Sequence, residues 1–371
     1  MANQSTEAFF ELLRAGLWET TAQLSQPQEV DFKKIYKTAE EQSVLGLIAA
    51  GIEKVSDSKI SKDDALAFIA STIQIEQRNK TMNQFIVSLF KKLGDNEISS
   101  VLVKGQGVAQ CYERPLWRAC GDVDLLLDID NYSKAKHVLI PLATSFEEED
   151  LHELHLGMTL HSWVVELHGS LRSCRLSKMD KVIDAVQRET LEKHKIRMWN
   201  NKGGEIPLPD PDNDVIFIFT HIIKHFFKEA VGLRQLCDWC RLLWMYKDSI
   251  DYDLLRSRLY EMGVETEWKA FAALAVEYLG MPTHAMPFYS DKKKWSRKAR
   301  RILNIMLENG SFGHNRDISY YRKYPFLVRK SMSFWRHTVD SVKQFSIFPM
   351  DTIRAWGQMV ALGLEKASKG R

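Results

Sequence analysis

Apolar residues recur at three- and four-residue spacing in FFELLRAGLW and through DALAFIASTIQIEQRNKTMNQFIVSLFKKL. That period lays a single apolar stripe along a helix, so residues 5 to about 95 read as helical. Gly94-Asp95-Asn96 stops the pattern. From Ile98 the texture changes. ISSVLVKG is a β-branched run ending in glycine and DVDLLLDI a second apolar run, with a brief helix between them at QGVAQCY. NYSKAKHVLIPLA reads as a helix opened by an Asn or Ser cap. LGMTLHS and WVVELHGS are strand-like and adjacent in sequence, which predicts antiparallel neighbours. HKIRMWNNKGGEIPLP predicts a hairpin turning at Asn200 to Gly204.

Pro207, Pro209 and Pro211 punctuate the exit, and helical spacing returns in DPDNDVIFIFTHIIKHFF, LRQLCDWCRLLWMY, DYDLLRSRLYEM and TEWKAFAALAVEYLG. The expected fold class is α+β: a small mixed sheet flanked by N-terminal and C-terminal helical segments. Its parts are a helical region at 1–96, an α+β core at 97–210 and a helical bundle with a basic end at 211–371. The pattern leaves open whether these form one architecture or three small domains.

Composition narrows the class. With 45% hydrophobic and 27% charged residues the chain is an ordinary globular one, long enough for a sizeable core. The start, MANQSTEAFFELL, lacks the marks of a signal peptide, and VIFIFTHIIKHFF is too short to span a bilayer, so the expected location is cytoplasmic. Five cysteines, an odd number, set no disulfide framework, and Cys237 and Cys240 fall inside a helical pattern as buried thiols. The net charge of +3 conceals an asymmetry: from Thr283 to Arg371 there are 18 Lys and Arg against 6 Asp and Glu. KKKWSRKARR and YYRKYPFLVRK mix cations with aromatics, a chemistry suited to nucleic acid or an anionic membrane; solvated helix surface is the plainer expectation.

The stretch LVKGQGVAQCYERPLWRACGDVDLLLD carries the chemistry. In a strand, residues two apart share a face, so Asp122 and Asp124 project side by side. Paired carboxylates repel unless a cation joins them, and a hard divalent ion, Mg²⁺ above all, suits oxygen ligands. Lys104 adds a cation at the end of the preceding strand, while Gly105 and Gly107 allow close backbone approach to a phosphate. The other reading of G-D-x-D is a turn whose aspartates cap backbone amides.

In order, LVKGQGVAQCY, RACGDVDLLLD, VVELHGSL and then THIIKHFF with LRQLCDWCRLL resemble an uncharacterised bacterial nucleotidyltransferase family within the DNA polymerase β-like superfamily. The likeness covers roughly residues 97 to 245. It implies metal-dependent transfer of a nucleoside monophosphate from an NTP to an acceptor, with pyrophosphate released. Asp122, Asp124 and Glu166 become the metal-binding acids, served by Mg²⁺ or Mn²⁺, with a general-base role open to Glu166. Lys104 and Arg118 would bind triphosphate oxygens, with the Gly105 backbone completing the cradle. The broad superfamily usually has a glycine or serine where this chain has Gln106.

His168 shares a strand face with Glu166 and is expected to support the site rather than bind metal. His221 and His225, four apart on a helix, have ligand spacing, but HIIKH lacks the glutamate of H-E-x-x-H. The resemblance implies that they line the cleft with Arg234 and Asp238; the latter two, also four apart, are equally placed to pair with each other. The acceptor is unidentified: a sugar or other small molecule fits, with nucleic acid less favoured. The alternative reading is a catalytically silent protein that uses the fold to bind nucleotide, nucleic acid or a partner.

Overall fold

The helical period of the first third becomes four helices in the computed structural model, which describes residues 4–56, 59–151, 153–172, 177–228, 230–311 and 324–368. They are α1 (Gln4–Trp18), α2 (Phe32–Glu41), α3 (Leu45–Glu53) and α4 (Lys62–Gly94). Asp31 and Ser61 cap α2 and α4, accepting from the backbone N–H of Lys34 and Asp64. Each cap satisfies a donor that the helix start would leave unpaired. α4 has 33 residues, about 50 Å of helix, enough to back a whole sheet.

Next come β1 (Val101–Val103), α5 (Gly105–Ala109), β2 (Asp122–Leu126), α6 (Ile129–Leu139), β3 (Ser145–Phe146), β4 (His155–Leu160) and β5 (Trp163–His168). They form a five-stranded sheet in the order β1-β2-β5-β4-β3. β2 and β5 run parallel, and the other neighbours are antiparallel, including the expected β4–β5 pair. α6 starts earlier than its sequence suggests: Asp128, rather than an Asn or Ser within NYSK, is the cap and accepts from Asn131 N at 2.7 Å.

Strand alternation gives the sheet two unlike faces. Leu102, Val123, Leu125, Leu156, Val165 and Leu167 are buried in one apolar cluster with Met82, Ile86, Leu89 and Leu93 of α4. The opposite face of β2 and β5 carries Asp122, Asp124, Glu166 and His168. The acids therefore point away from α4.

α7 (Ser177–Leu191) leads to the expected hairpin of β6 (Ile196–Asn200) and β7 (Glu205–Pro209), closed by the Asn201–Gly204 turn. α8 (Pro211–Lys228) opens with its proline in the first turn, where a missing N–H costs nothing. α9 (Leu233–Met245), α10 (Tyr252–Met262), α11 (Glu265–Leu279), α12 (Lys293–Asn309), α13 (Phe326–Phe345) and α14 (Pro349–Ser368) complete the described chain. Phe9, Leu12 and Leu13 of α1 belong to one buried cluster with Phe219, Trp239, Trp268 and Phe271. Helices from both ends of the chain thus share a core, and the sheet packs into it.

Cys111, Cys120, Cys237 and Cys240 are buried free thiols; Cys174 lies outside the described residues. The first residues of YYRKYPFLVRK, 320–323, also lie outside them. Among the described residues no helix is long and apolar enough to cross a membrane.

One buried group ties stability to pH. Both Glu267 carboxylate oxygens on α11 are buried without a donor among the described residues. Burial, then the neighbouring Asp351 carboxylate of α14, pushes its pKa from 4.5 up to about 8. The folded state therefore holds a proton that the unfolded chain releases. The stabilisation is complete below pH 4.5 and is lost as pH rises through about 8. Glu267→Gln, which cannot ionise, should raise the melting temperature at pH 9 relative to wild type and leave it near wild type at pH 5. A few kcal/mol is the expected scale, and thermal melts at the two pH values measure it.

Candidate active site

β1 ends in a turn that the sequence marks with lysine and glycine. Lys104 has φ 58° and ψ −143°, a region that non-glycine residues avoid, and Gly105 follows with φ 38°. A Cβ on Gly105 would lie 3.3 Å from Cys120 Sγ. This backbone carries the Lys104 ammonium across to β2, 2.9 Å from Asp124 Oδ1. The Gln106 side chain donates to Asn79 Oδ1 of α4, and Asn79 in turn donates to the carbonyls of Leu116 and Arg118. The turn and the loop leading into β2 are thereby fastened to the long helix.

Gly107 has a different task from the one its position suggested. A Cβ there would meet Leu208 Cδ2 of β7 at 2.9 Å, so this glycine admits the hairpin rather than a phosphate.

On β2 and β5, Asp124 stands directly beside Glu166 in the parallel register, with Asp122 two residues back on the same face. Asp124 accepts from Lys104 and from His168 Nε2, the latter at 2.8 Å. Glu166 Oε2 lies 3.2 Å from His155 Nε2 and 3.4 Å from His168 Nε2. Asp122 differs: no donor within hydrogen-bonding distance reaches its carboxylate among the described residues.

The charge states follow from these contacts. Burial, then the Asp124 and Glu166 carboxylates, pushes Asp122 up to about 6. Burial acts in the same direction on Asp124, but Lys104 and His168 outweigh it and hold that carboxyl below its ordinary value. Burial likewise opposes ionisation of Glu166, and the His155 and His168 hydrogen bonds overcome it. The hydrogen bond to Glu166 raises the pKa of His155. Burial would lower that of Lys104, but Asp124 and Glu166 raise it.

α8 and α9 roof this face. Lys104, Gly105, Asp122, Asp124 and Glu166 line one cleft with Ile218, His221, His225, Arg234, Gln235, Asp238 and Arg118. His221 and His225 stack edge-on, 4.2 Å between ring centroids, and burial followed by His225 holds His221 neutral. Arg118 belongs to the cleft wall: its Nε and Nη2 donate to the two oxygens of Asp238 at 2.9 and 2.6 Å, and Tyr112 Oη also donates to Asp238. The guanidinium expected at the triphosphate is engaged there. Asp238 therefore takes a partner 120 residues away, in addition to lying one turn from Arg234. Arg234 donates to the Ala119 carbonyl, and burial, then Arg118, lowers its pKa.

The sequence profile of an uncharacterised nucleotidyltransferase family matches residues 28–280, from just before α2 through α11 and the whole sheet. The chain belongs to this uncharacterised nucleotidyltransferase family. No curated protein and no solved structure matches it.

For a nucleotidyltransferase, the donor set fits a divalent ion. Asp122, Asp124 and Glu166 present oxygen atoms on one face, and the half-buried Asp122 carboxylate stands beside the two others with no donor among the described residues. A cation there would relieve that repulsion. Among the described residues, His155, Glu166 and His168 bring their ligand-type atoms within 4.8 Å of one another. His155 was not visible in the sequence: it lies one residue before the strand-like run LGMTLHS, and the register that sets it opposite His168 is a tertiary fact. Asn79 and Tyr112 were missed for the same reason, since each acts through partners distant in the chain.

Proposed function

We propose that this nucleotidyltransferase moves a nucleoside monophosphate from an NTP to an acceptor hydroxyl in a metal-dependent reaction that releases pyrophosphate. The observation that carries the reading is the row of three carboxylates on one sheet face, with Asp122 lacking a donor among the described residues. In this reading the sheet is the nucleotidyltransferase module of the DNA polymerase β-like superfamily. Asp122, Asp124 and Glu166 would hold Mg²⁺ or Mn²⁺. Such an ion, when bound, supplies the Lewis acid for the acceptor oxygen and for the charge on the leaving pyrophosphate.

The chain's own groups do the rest. His155 and His168 fix the Glu166 carboxylate, and His168 also fixes Asp124, so neither acid is free to rotate away. Arg234, half-buried near the Arg118 guanidinium that helps lower its pKa, lines the cleft and binds the triphosphate with Lys104 and the Gly105 backbone. The roof of α8 and α9, with neutral His221, excludes water from the transferring phosphoryl group. The acceptor is a hydroxyl-bearing small molecule, a sugar being the simplest.

Incubation with each labelled NTP, Mg²⁺ or Mn²⁺ and a cell extract should yield a labelled product and pyrophosphate. The Lys104–Asp124 pair favours the second reading, because it already satisfies one of the three acids without an ion. NTP binding with no pyrophosphate from any acceptor pool would select that silent scaffold.

A binding measurement bears on the donor set directly. Imidazoles next to the carboxylates suit Mn²⁺ better than Mg²⁺, so calorimetry should show Mn²⁺ bound at least about tenfold more tightly. Lys104→Met removes a competing cation and should tighten Mn²⁺ further while weakening NTP. Unchanged Mn²⁺ affinity in that variant would place the ion away from Asp124.

A further inference from the structure

α13 turns its apolar side outward. Val328, Trp335, Val339 and Val342 fall on one helical face, and Trp335 and Val342 are 70% and 68% exposed. The stripe spans about 20 Å of helix. The opposite side holds Gln344, which is buried and donates to the Phe226 carbonyl. A helix that merely covers a core does the reverse. α14 packs alongside, its Trp356 ring 6.3 Å from Phe334, and adds exposed Met350 and Ile353.

Cations rim this apolar surface. Arg329, Arg336 and Lys343 follow one flank of the stripe at seven-residue spacing. α12 has six Lys and Arg against one Glu. It meets the elbow between α13 and α14, where Lys298 donates to the Ile347 carbonyl and Arg301 to that of Ser346.

We propose that the α13–α14 hairpin docks on an anionic lipid bilayer, lying in the interfacial plane with Trp335 and Val342 among the acyl chains and the α12 cations at the headgroups. Apolar burial and headgroup attraction act together on such a surface. No described helix is long and apolar enough to cross the bilayer, so the contact lies on the membrane rather than through it. A second copy using the same face would bring two basic ends together. A nucleic acid would meet the cations and leave the apolar stripe in water.

Flotation of the full chain with vesicles of phosphatidylcholine, with and without phosphatidylglycerol, tests this. Partition should be at least tenfold greater onto the anionic vesicles and should fall as salt rises. Brominated lipid should quench part of the tryptophan emission, and Trp335→Phe should remove that part. Trp335→Glu should lose the binding while melting like the wild type. Lys293→Glu with Lys294→Glu and Arg297→Glu leaves the apolar face intact and should lose it too. Failure to bind either vesicle overturns the proposal. So do equal binding to both, or a dimer that Trp335→Glu splits into monomers.

Discussion

Asp122→Asn should reduce nucleotidyl transfer by at least about 10³-fold, near 4 kcal/mol in the barrier, while the protein melts no earlier than the wild type. Asparagine keeps the shape of the side chain and removes the charge that completes the carboxylate row. Stability should hold because Asp122 has no donor to lose among the described residues: burial and the Asp124 carboxylate both oppose its ionisation in the fold. Asp124→Asn makes the contrast. That carboxylate holds Lys104, whose side chain is only 15% exposed, together with His168. Its loss leaves a buried ammonium without its partner and should lower the melting temperature, on the scale of 3–5 kcal/mol for a broken buried pair. Activity would fall in both variants, but only one would be less stable. Pyrophosphate release and thermal melts together read the two effects. Persisting transfer in Asp122→Asn would remove this residue from the catalytic set, and an early melt would make it a structural cap.

The difference between these neighbours shows what the sequence could carry. Alternation in DVDLLLD and WVVELHGS predicted which residues share a face, because side-chain direction in a strand is a local property. The registers agree: Asp124 pairs with Glu166, and the apolar partners Leu125 and Leu167 point to α4. Helices were legible for the same reason, through their apolar period, although the α6 cap lies at Asp128 rather than within NYSK. What the sequence concealed is long-range. The hydrogen bonds from Lys104 to Asp124 and from Gln106 to Asn79 depend on how β1 and α4 meet β2. Gly107 looked like part of a phosphate cradle because it follows Lys104-Gly105, whereas Leu208, a hundred residues on, decides its role. The exposed apolar face of α13 was masked by composition: the basic count of the last third said surface, and the helical arrangement of its valines and tryptophan did not enter that count.

Arg118 and Asp238 make the sharpest structural case of this kind. The spacing of Arg234 and Asp238 offered a local pair, yet Asp238 is bound bidentately by Arg118 and also receives Tyr112 Oη. Both ion-pair side chains are 5% exposed, so neither charge can turn to water. Arg118→Ala should therefore destabilise the fold by 3–5 kcal/mol, the usual effect of leaving one buried charge alone. Asp238→Ala should do as much or more, since it strands the guanidinium and also takes the acceptor from Tyr112. Replacing both ends together, as Arg118→Leu with Asp238→Leu, should recover a large part of the loss, because two apolar side chains need no partner. Urea unfolding of the singles and the double closes the cycle. If Arg118 instead serves the triphosphate, Arg118→Ala would leave the unfolding midpoint almost unmoved and weaken NTP binding, and the ion pair would not be what holds the α9 wall against the loop before β2.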